Sequence, residues 1–266
     1  LTASLEIVAD AVTRWLDEGP CPLILGVCGS QGSGKSTLAN ALLERFAGQG
    51  LCVATLSLDD LYLGKAARAE LARAVHPLLA TRGVPLTHDV ERGCAILDAA
   101  KAGLSFELPR FDKASDEPLA RGERVDGPLD LLIFEGWCVG AAAEDGVELV
   151  TPVNDLEREE DEDGVWRRAV NAALAGPYQS LFARIDRLVL LAAPGFEVVR
   201  AWRTQQEHEL RDRLAADGRD PGLAMDDQAI GRFIAHYERI TRAILREMPA
   251  RADLTVQLDE MRNAKT

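Results

Sequence analysis

The segment that most restricts this chain is Gly29-Ser30-Gln31-Gly32-Ser33-Gly34-Lys35-Ser36, a match to G-x-x-x-x-G-K-[ST]. An apolar run, Leu23–Cys28, precedes it and reads as a buried strand. The segment Lys35–Gly48 follows, with apolar residues at Leu38, Ala41, Leu42 and Phe46 and a glycine stop, and reads as a helix. Strand, glycine-rich turn and helix in this order make a phosphate-binding loop. Glycines let the backbone turn with its N–H groups facing inward, and the helix adds the positive end of its dipole. The loop Gly29–Thr37 is therefore expected to hold nucleotide phosphates, with Lys35 on the β- and γ-phosphates and Thr37 near the α-phosphate. Ser36 is expected to offer its hydroxyl to Mg²⁺.

Four more β-branched-rich runs, Leu51–Ser57, Leu129–Phe134, Arg187–Ala192 and Leu254–Leu258, read as buried parallel strands separated by helical patterns. The expected fold is α/β, a five-stranded, mainly parallel sheet flanked by helices in one domain over 1–266. Residues 60–128 are too many for a simple crossover and read as an insertion for a second substrate. It holds a helix near Asp89–Ala102, an extended piece Leu104–Leu108 and a polar segment Arg110–Gly127. The helices Phe196–Ala216 and Asp226–Glu247 follow, and the region 194–220 reads as a lid. Between them and the third strand lies an irregular region, Ala141–Gly164, whose acidic run Glu157–Asp163 reads as a solvated, mobile loop.

Two runs deliver acids to the edge where open α/β sheets bind ligands. The third ends in Glu135-Gly136-Trp137, and Glu135 is expected to hold the magnesium or position reacting groups. The second ends in Ser57-Leu58-Asp59-Asp60-Leu61-Tyr62. An acceptor hydroxyl needs a base in reach, and Asp59 is the candidate, also placed to meet the metal. Asp60 reads as a metal or substrate contact, or as the cap of a helix beginning near Lys65. No N-K-x-D tetrapeptide for guanine occurs, which favours ATP.

The formal charge of −13, from 30 basic and 43 acidic side chains, argues against nucleic acid or an anionic membrane as partner. Leu1–Gly19 reads as an amphipathic helix, no run is long and apolar enough to span a bilayer, and a cytoplasmic protein without export signal is expected. Five scattered cysteines, with no C-x-x-C pair, suit reduced and mostly buried thiols. Four histidines without ligand spacing make a structural zinc site unexpected.

With these residues in hand, the chain resembles the plant-type D-glycerate 3-kinase family, relatives of uridine kinase, pantothenate kinase and phosphoribulokinase. The likeness covers most of the chain. It runs through Gly29–Thr37, Ser57–Tyr62, His76-Pro77-Leu78-Leu79, Arg82–Asp89, Pro109–Lys113, Phe134–Trp137, Asn154 with Leu156, Trp166–Asn171 and Trp202–Glu207. Leu61 stands where the wider group has Phe, and Leu86 where the family has Gly, so the backbone near Leu86 is expected to differ slightly.

The resemblance implies transfer of the γ-phosphoryl group of ATP to a small hydroxy acid, with Asp59 as base. A small acid needs cations, and Arg82, Arg110 and Lys113 of the insertion supply them, clustered with His88, Asp89 and Asp112. Asp60 and Tyr62 are expected beside the acceptor. Arg200 and Arg203, three apart on one helix, are implied as lid arginines facing the phosphates; the alternative for each is pairing with Glu197 or Glu207. The turn at Arg262-Asn263 is a candidate wall for the adenine. Two rival functions are a kinase for another small alcohol, such as a nucleoside or pantothenate-like compound, and a P-loop ATPase acting as switch or chaperone. A nucleoside needs stacking rings, and the insertion offers chiefly Tyr62, Phe106 and Phe111; a switch would use the acidic run as an interaction tail.

Overall fold

The structure, a computed structural model, describes residues 2–220, 222 and 224–265. Its centre is β1 (Leu23–Gly29), buried along its whole length between two parallel neighbours, β7 (Leu131–Gly136) and β8 (Arg187–Ala192). With β2 (Val53–Ser57) and β9 (Leu254–Gln257) at the edges, the order is β2-β7-β1-β8-β9. Every pairing is parallel, where mainly parallel was expected.

Alternation along the strands divides the core between two faces. Leu25, Val27, Leu131 and Ile133 join Val8 and Val12 of α1 (Thr2–Glu18), Leu38 and Leu42 of α2 (Lys35–Gly48) and Val199 of α8 (Phe196–Ala216). Ile24, Cys28, Leu132 and Phe134 face the other way. They meet Leu97 of α4 (Val90–Lys101), Trp166 of α6 (Val165–Ala175), Tyr178 of α7 (Pro177–Phe182) and Ile240 of α9 (Asp227–Glu247). Helices thus cover both faces, which is why the central strands read as continuous apolar runs.

Two strands begin two residues later than their apolar runs, for one reason. Asp130 clasps Cys52 before the ladder starts, its amide donating to Cys52 O (2.8 Å) and its Oδ2 accepting from Cys52 N (2.7 Å). Strand β7 then runs on to Gly136, so Glu135 lies inside the strand, level with Val27 of β1 and Ser57 of β2.

The insertion between β2 and β7 starts with a 3-10 turn at Leu58–Leu61 and α3 (Lys65–Ala74), and continues through α4. The polar segment beyond Pro109 is more regular than expected. Within it β4 (Phe111–Asp112) pairs with β5 (Glu117–Pro118), and β6 (Glu123–Val125) pairs back onto the preceding β3 (Phe106–Leu108), both antiparallel. Leu86 has a glycine-like backbone, φ 87°, with its side chain packed on the core, so the leucine carries strain that a glycine would not.

The acidic run is neither a solvated loop nor a tail. Asn154 caps α5 (Asp155–Glu160), accepting Glu157 N (3.0 Å), and Glu157 is only 1% exposed. Its carboxylate accepts both Nε (2.8 Å) and Nη2 (2.7 Å) of Arg239 on α9. Asp161, 2% exposed, pairs with Arg167 (2.9 Å) and caps α6 through Trp166 N (2.7 Å). Composition counts these charges without registering their distant partners. The cysteines are all free, but Cys21 and Cys52 are exposed, against the expectation of burial.

Removing one member of a buried ion pair strands the other, at about 3–5 kcal/mol. Urea unfolding of Glu157→Ala should show a loss of that order, while Glu159→Ala, on the exposed side of the same helix, should stay within about 0.5 kcal/mol of the parent. Equal stabilities for the two variants would contradict the anchoring role.

Candidate active site

The phosphate loop follows directly from the end of β1. Gly32 (φ 80°) and Gly34 (φ 87°) both occupy left-handed backbone, and Gly34 leads into α2, whose first turn carries neither an acidic residue nor a side-chain cap. The amides of that turn are thus directed at the loop's hollow. A methyl group at Gly32 would lie 2.6 Å from Trp202 Cβ, so α8 packs directly on the loop. Ser30 Oγ and Ser33 Oγ of the loop are buried hydroxyls without partners, able to donate to phosphate oxygens, while the equally unpartnered Gln31 Oε1 can only accept.

Side-chain alternation puts Glu135 on the face of Leu131 and Ile133, the face that α2 covers. There Ser36 Oγ donates to Glu135 Oε1 at 3.1 Å, while Glu135 Oε2 is buried with no partner. A hydroxyl beside a carboxylate with an uncommitted oxygen is a fitting pair for a hard divalent cation.

Two residues beyond Ser57, Asp59 has both oxygens engaged: Oδ1 accepts from Tyr62 Oη and Oδ2 from Lys113 Nζ, each at 2.6 Å. It is thereby committed differently from the metal ligand expected of it. Burial alone would raise its pKa, but the charges of Lys113 and Lys35 and these two hydrogen bonds hold it well below the usual carboxylate range. Its side chain still keeps 29% of its surface open, and Lys113 keeps 60%.

Asp60 does not cap α3, whose first amide is served by Glu117 Oε1 (3.2 Å). It holds the insertion instead, accepting Phe111 N and Arg110 Nη1, both at 3.1 Å; burial pushes its pKa up against these bonds. Arg110 also donates to Glu123 Oε2 (2.6 Å). Arg82 pairs with Asp116 and lies over the Phe111 ring at 5.7 Å. Sequence reasoning missed Asp116 and its second partner, buried Arg68, which also donates to Leu63 O (2.6 Å) and Ala80 O (3.2 Å). No local pattern marks that pair.

Two expected substrate contacts serve the backbone here. Asp89 caps α4 by accepting Arg92 N (2.9 Å), and Asp112 accepts Ala114 N (3.0 Å) and Ser115 N (3.1 Å) at the tip of the β4–β5 turn. His88 is buried behind Tyr62, ring centroids 4.9 Å apart, with Nδ1 2.5 Å from Tyr178 Oη and Nε2 unpartnered. On α8, Arg203 takes the alternative given above: it pairs with Glu207 and stacks on Phe233 at 5.3 Å. Arg200 lies against Gly231 of α9. No helix among the described residues is long and apolar enough to cross a membrane, and no cluster of three or more His, Cys, Asp or Glu forms a metal centre among them.

No family model matches the chain. The uncharacterized kinase mug58 of Schizosaccharomyces pombe is 36% identical over 253 residues, spanning 88% of this chain and 87% of its own length. Chloroplastic D-glycerate 3-kinase of Arabidopsis thaliana is 31% identical over 267 residues, which is 91% of this chain and 54% of the plant protein. Among solved structures, D-glycerate 3-kinase of Cryptococcus neoformans superposes with a TM-score of 0.79 at 25% identity, covering 99% of this chain and 98% of that one.

His88 makes the site's stability depend on pH. Burial lowers its pKa from 6.5 to about 4, against a smaller upward pull from Asp59. The unfolded chain therefore binds a proton below pH 6.5 that the folded chain refuses, so the stabilisation is complete above pH 6.5 and is lost as pH falls toward 4. Between pH 7 and pH 4 the parent should lose on the order of 2–3 kcal/mol more than His88→Gln, measured by urea unfolding. Parallel losses in the two proteins would contradict a neutral, buried imidazole.

Proposed function

Because the chain belongs to the D-glycerate 3-kinase family of P-loop kinases, we propose that it transfers the γ-phosphoryl group of ATP to a hydroxyl of a small hydroxy acid, converting D-glycerate to 3-phosphoglycerate. The observation that carries this reading is the position of Asp59, an ionised and partly open carboxylate between the phosphate loop and a set of insertion cations.

In this reading the loop amides and Lys35 hold the phosphate chain, and Ser36 with Glu135 holds Mg²⁺. Mg²⁺ held there would supply positive charge to offset that of the phosphate chain. Asp59 orients the acceptor hydroxyl and receives its proton. The hydroxyl oxygen forms its bond to the γ-phosphorus as the bond to the bridging oxygen breaks, and ADP leaves. A largely dissociative transition state asks for little proton abstraction early on, so a carboxylate with a low pKa serves well as an orienting base.

The acceptor's own carboxylate is read by Lys113, the most exposed of the three cations Arg82, Arg110 and Lys113, with Arg110 and Arg82 behind it. Each of these cations is held by an acid, which fixes its direction before the substrate arrives. Arg200 completes the enclosure if α8 moves over the phosphates, and Arg203 would join it only by releasing Glu207. A nucleoside acceptor fits less well. Tyr62 and Phe111 are buried against each other edge to face, at 5.2 Å, and so present no free ring for a base.

A coupled ADP-release assay with D-glycerate, its amide, uridine, pantothenate and no acceptor tests the proposal. D-glycerate should give the highest kcat/KM, with the amide lower by about tenfold or more, since it cannot offer a full carboxylate to the cations. Preference for uridine or pantothenate would overturn the substrate assignment. ADP release indifferent to every acceptor would overturn phosphotransfer itself and favour an ATPase.

A further inference from the structure

Arg262 stands on a turn with no part in the site as described so far. Beyond β9 the chain reverses around Asp259, whose Oδ1 accepts the amides of Met261 (2.9 Å) and Asn263 (2.8 Å), while its own amide donates to Asn263 O (2.8 Å). The reversal holds Arg262 at φ 66°, backbone that a residue with a side chain rarely adopts. Such a conformation persists only where the surroundings determine it, and here they direct the guanidinium back at the phosphate loop.

Arg262 Nε donates to Gly32 O at 2.7 Å, and Nη2 donates to Gln205 Oε1 of α8 at 3.0 Å. The guanidinium also lies over the Trp202 indole, 5.3 Å from its centroid. Trp202 is 3% exposed, packs on Gly32 and donates through Nε1 to Glu260 O at 2.7 Å. The phosphate loop, the first half of α8 and the turn at 259–263 thus close on one peptide unit.

In a trans peptide the C=O and N–H point in opposite directions. Anchoring Gly32 O outward on Arg262 turns the amide of Ser33 inward, where it donates to Ser30 O at 3.1 Å. The orientation of the Gly32–Ser33 peptide, and with it the turn that shapes the phosphate loop, is therefore set in part from outside the loop. Preorganised donors need no rearrangement when charge arrives.

We propose that Arg262 is a positioning residue for the nucleotide: it holds the phosphate loop in its binding shape through Gly32 and ties that loop to α8. It acts through the loop and replaces the earlier expectation that Arg262-Asn263 walls the adenine. The inference rests on the kinase reading for its nucleotide.

The test compares the parent with Arg262→Ala, Arg262→Lys and Met261→Ala, the last at an exposed neighbouring position. Calorimetric titration with ATP and Mg²⁺, steady-state kinetics, thermal unfolding and amide hydrogen exchange over residues 29–37 are measured for each. Arg262→Ala should weaken ATP binding and raise KM for ATP by about tenfold, leave the acceptor KM within about twofold, and speed exchange of the loop amides without nucleotide. Arg262→Lys should recover part of the loss, because an ammonium reaches Gly32 O but cannot also hold Gln205 and stack on the indole. Met261→Ala should match the parent. ATP binding and loop exchange unchanged in Arg262→Ala would overturn the inference. So would a uniform loss of Tm, kcat and affinity for both substrates with no recovery by lysine, the signature of general destabilisation. If the parent binds no ATP, the kinase reading fails, and the loop exchange alone decides for or against Arg262.

Discussion

The hydrogen bond from Ser36 to Glu135 joins the first turn of the phosphate-loop helix to the strand beside β1, and the placement of the other groups in the site follows from it. It exists because β7 lies between β1 and β2 in a parallel sheet, with Glu135 level with Val27 on one side and Ser57 on the other. A slip of one residue would turn Glu135 to the opposite face, away from α2. The long apolar strands, buried on both sides, prevent that slip. Core packing and site geometry are thus one constraint: the register that buries Ile133 and Phe134 on opposite faces also points Glu135 at Ser36.

In a chain of net charge −13, the three cations of the insertion named above are each held by an acid. Lys113 rests on Asp59, Arg110 on Asp60, and Arg82 shares Asp116 with the buried Arg68. The same device fastens the acidic segment to α6 and α9 through Arg167 and Arg239. These pairs orient long side chains whose free ends would otherwise sample many rotamers, and the partly open ones remain accessible to a ligand. Arginine and lysine have different places here: Arg68, Arg167 and Arg239 take enclosed, many-bonded positions, and Lys113 an open one.

What could be read from the residues in order was what is local in sequence. The phosphate loop is eight consecutive residues between a strand and a helix, so motif and context arrive together, and the five strands announce themselves as apolar runs. Boundaries were less legible, since Asp130 uses its hydrogen bonds on Cys52 before the ladder begins. Asp89 and Asp112 looked like ligands because a carboxylate in a charged cluster and a carboxylate capping a turn have the same composition; only the direction of the nearby amides separates them. Glu157, Asp161, Asp116 and Arg262 were out of reach for a related reason. Each takes its role from a partner in another element, such as Arg239 for Glu157 or Gly32 for Arg262, and no spacing rule records such a partner.

If Ser36 and Glu135 are the metal-holding pair beside the phosphate loop, as proposed above, ATP affinity with and without Mg²⁺ in the parent and in Glu135→Gln tests it most directly. The substitution keeps the size of the side chain and a carbonyl acceptor for Ser36, while removing the charge from the oxygen that has no partner in the fold. The account predicts that binding of metal-free ATP is unchanged to within about twofold, whereas the gain in affinity on adding Mg²⁺ largely disappears. An undiminished Mg²⁺-dependent gain in Glu135→Gln would contradict it.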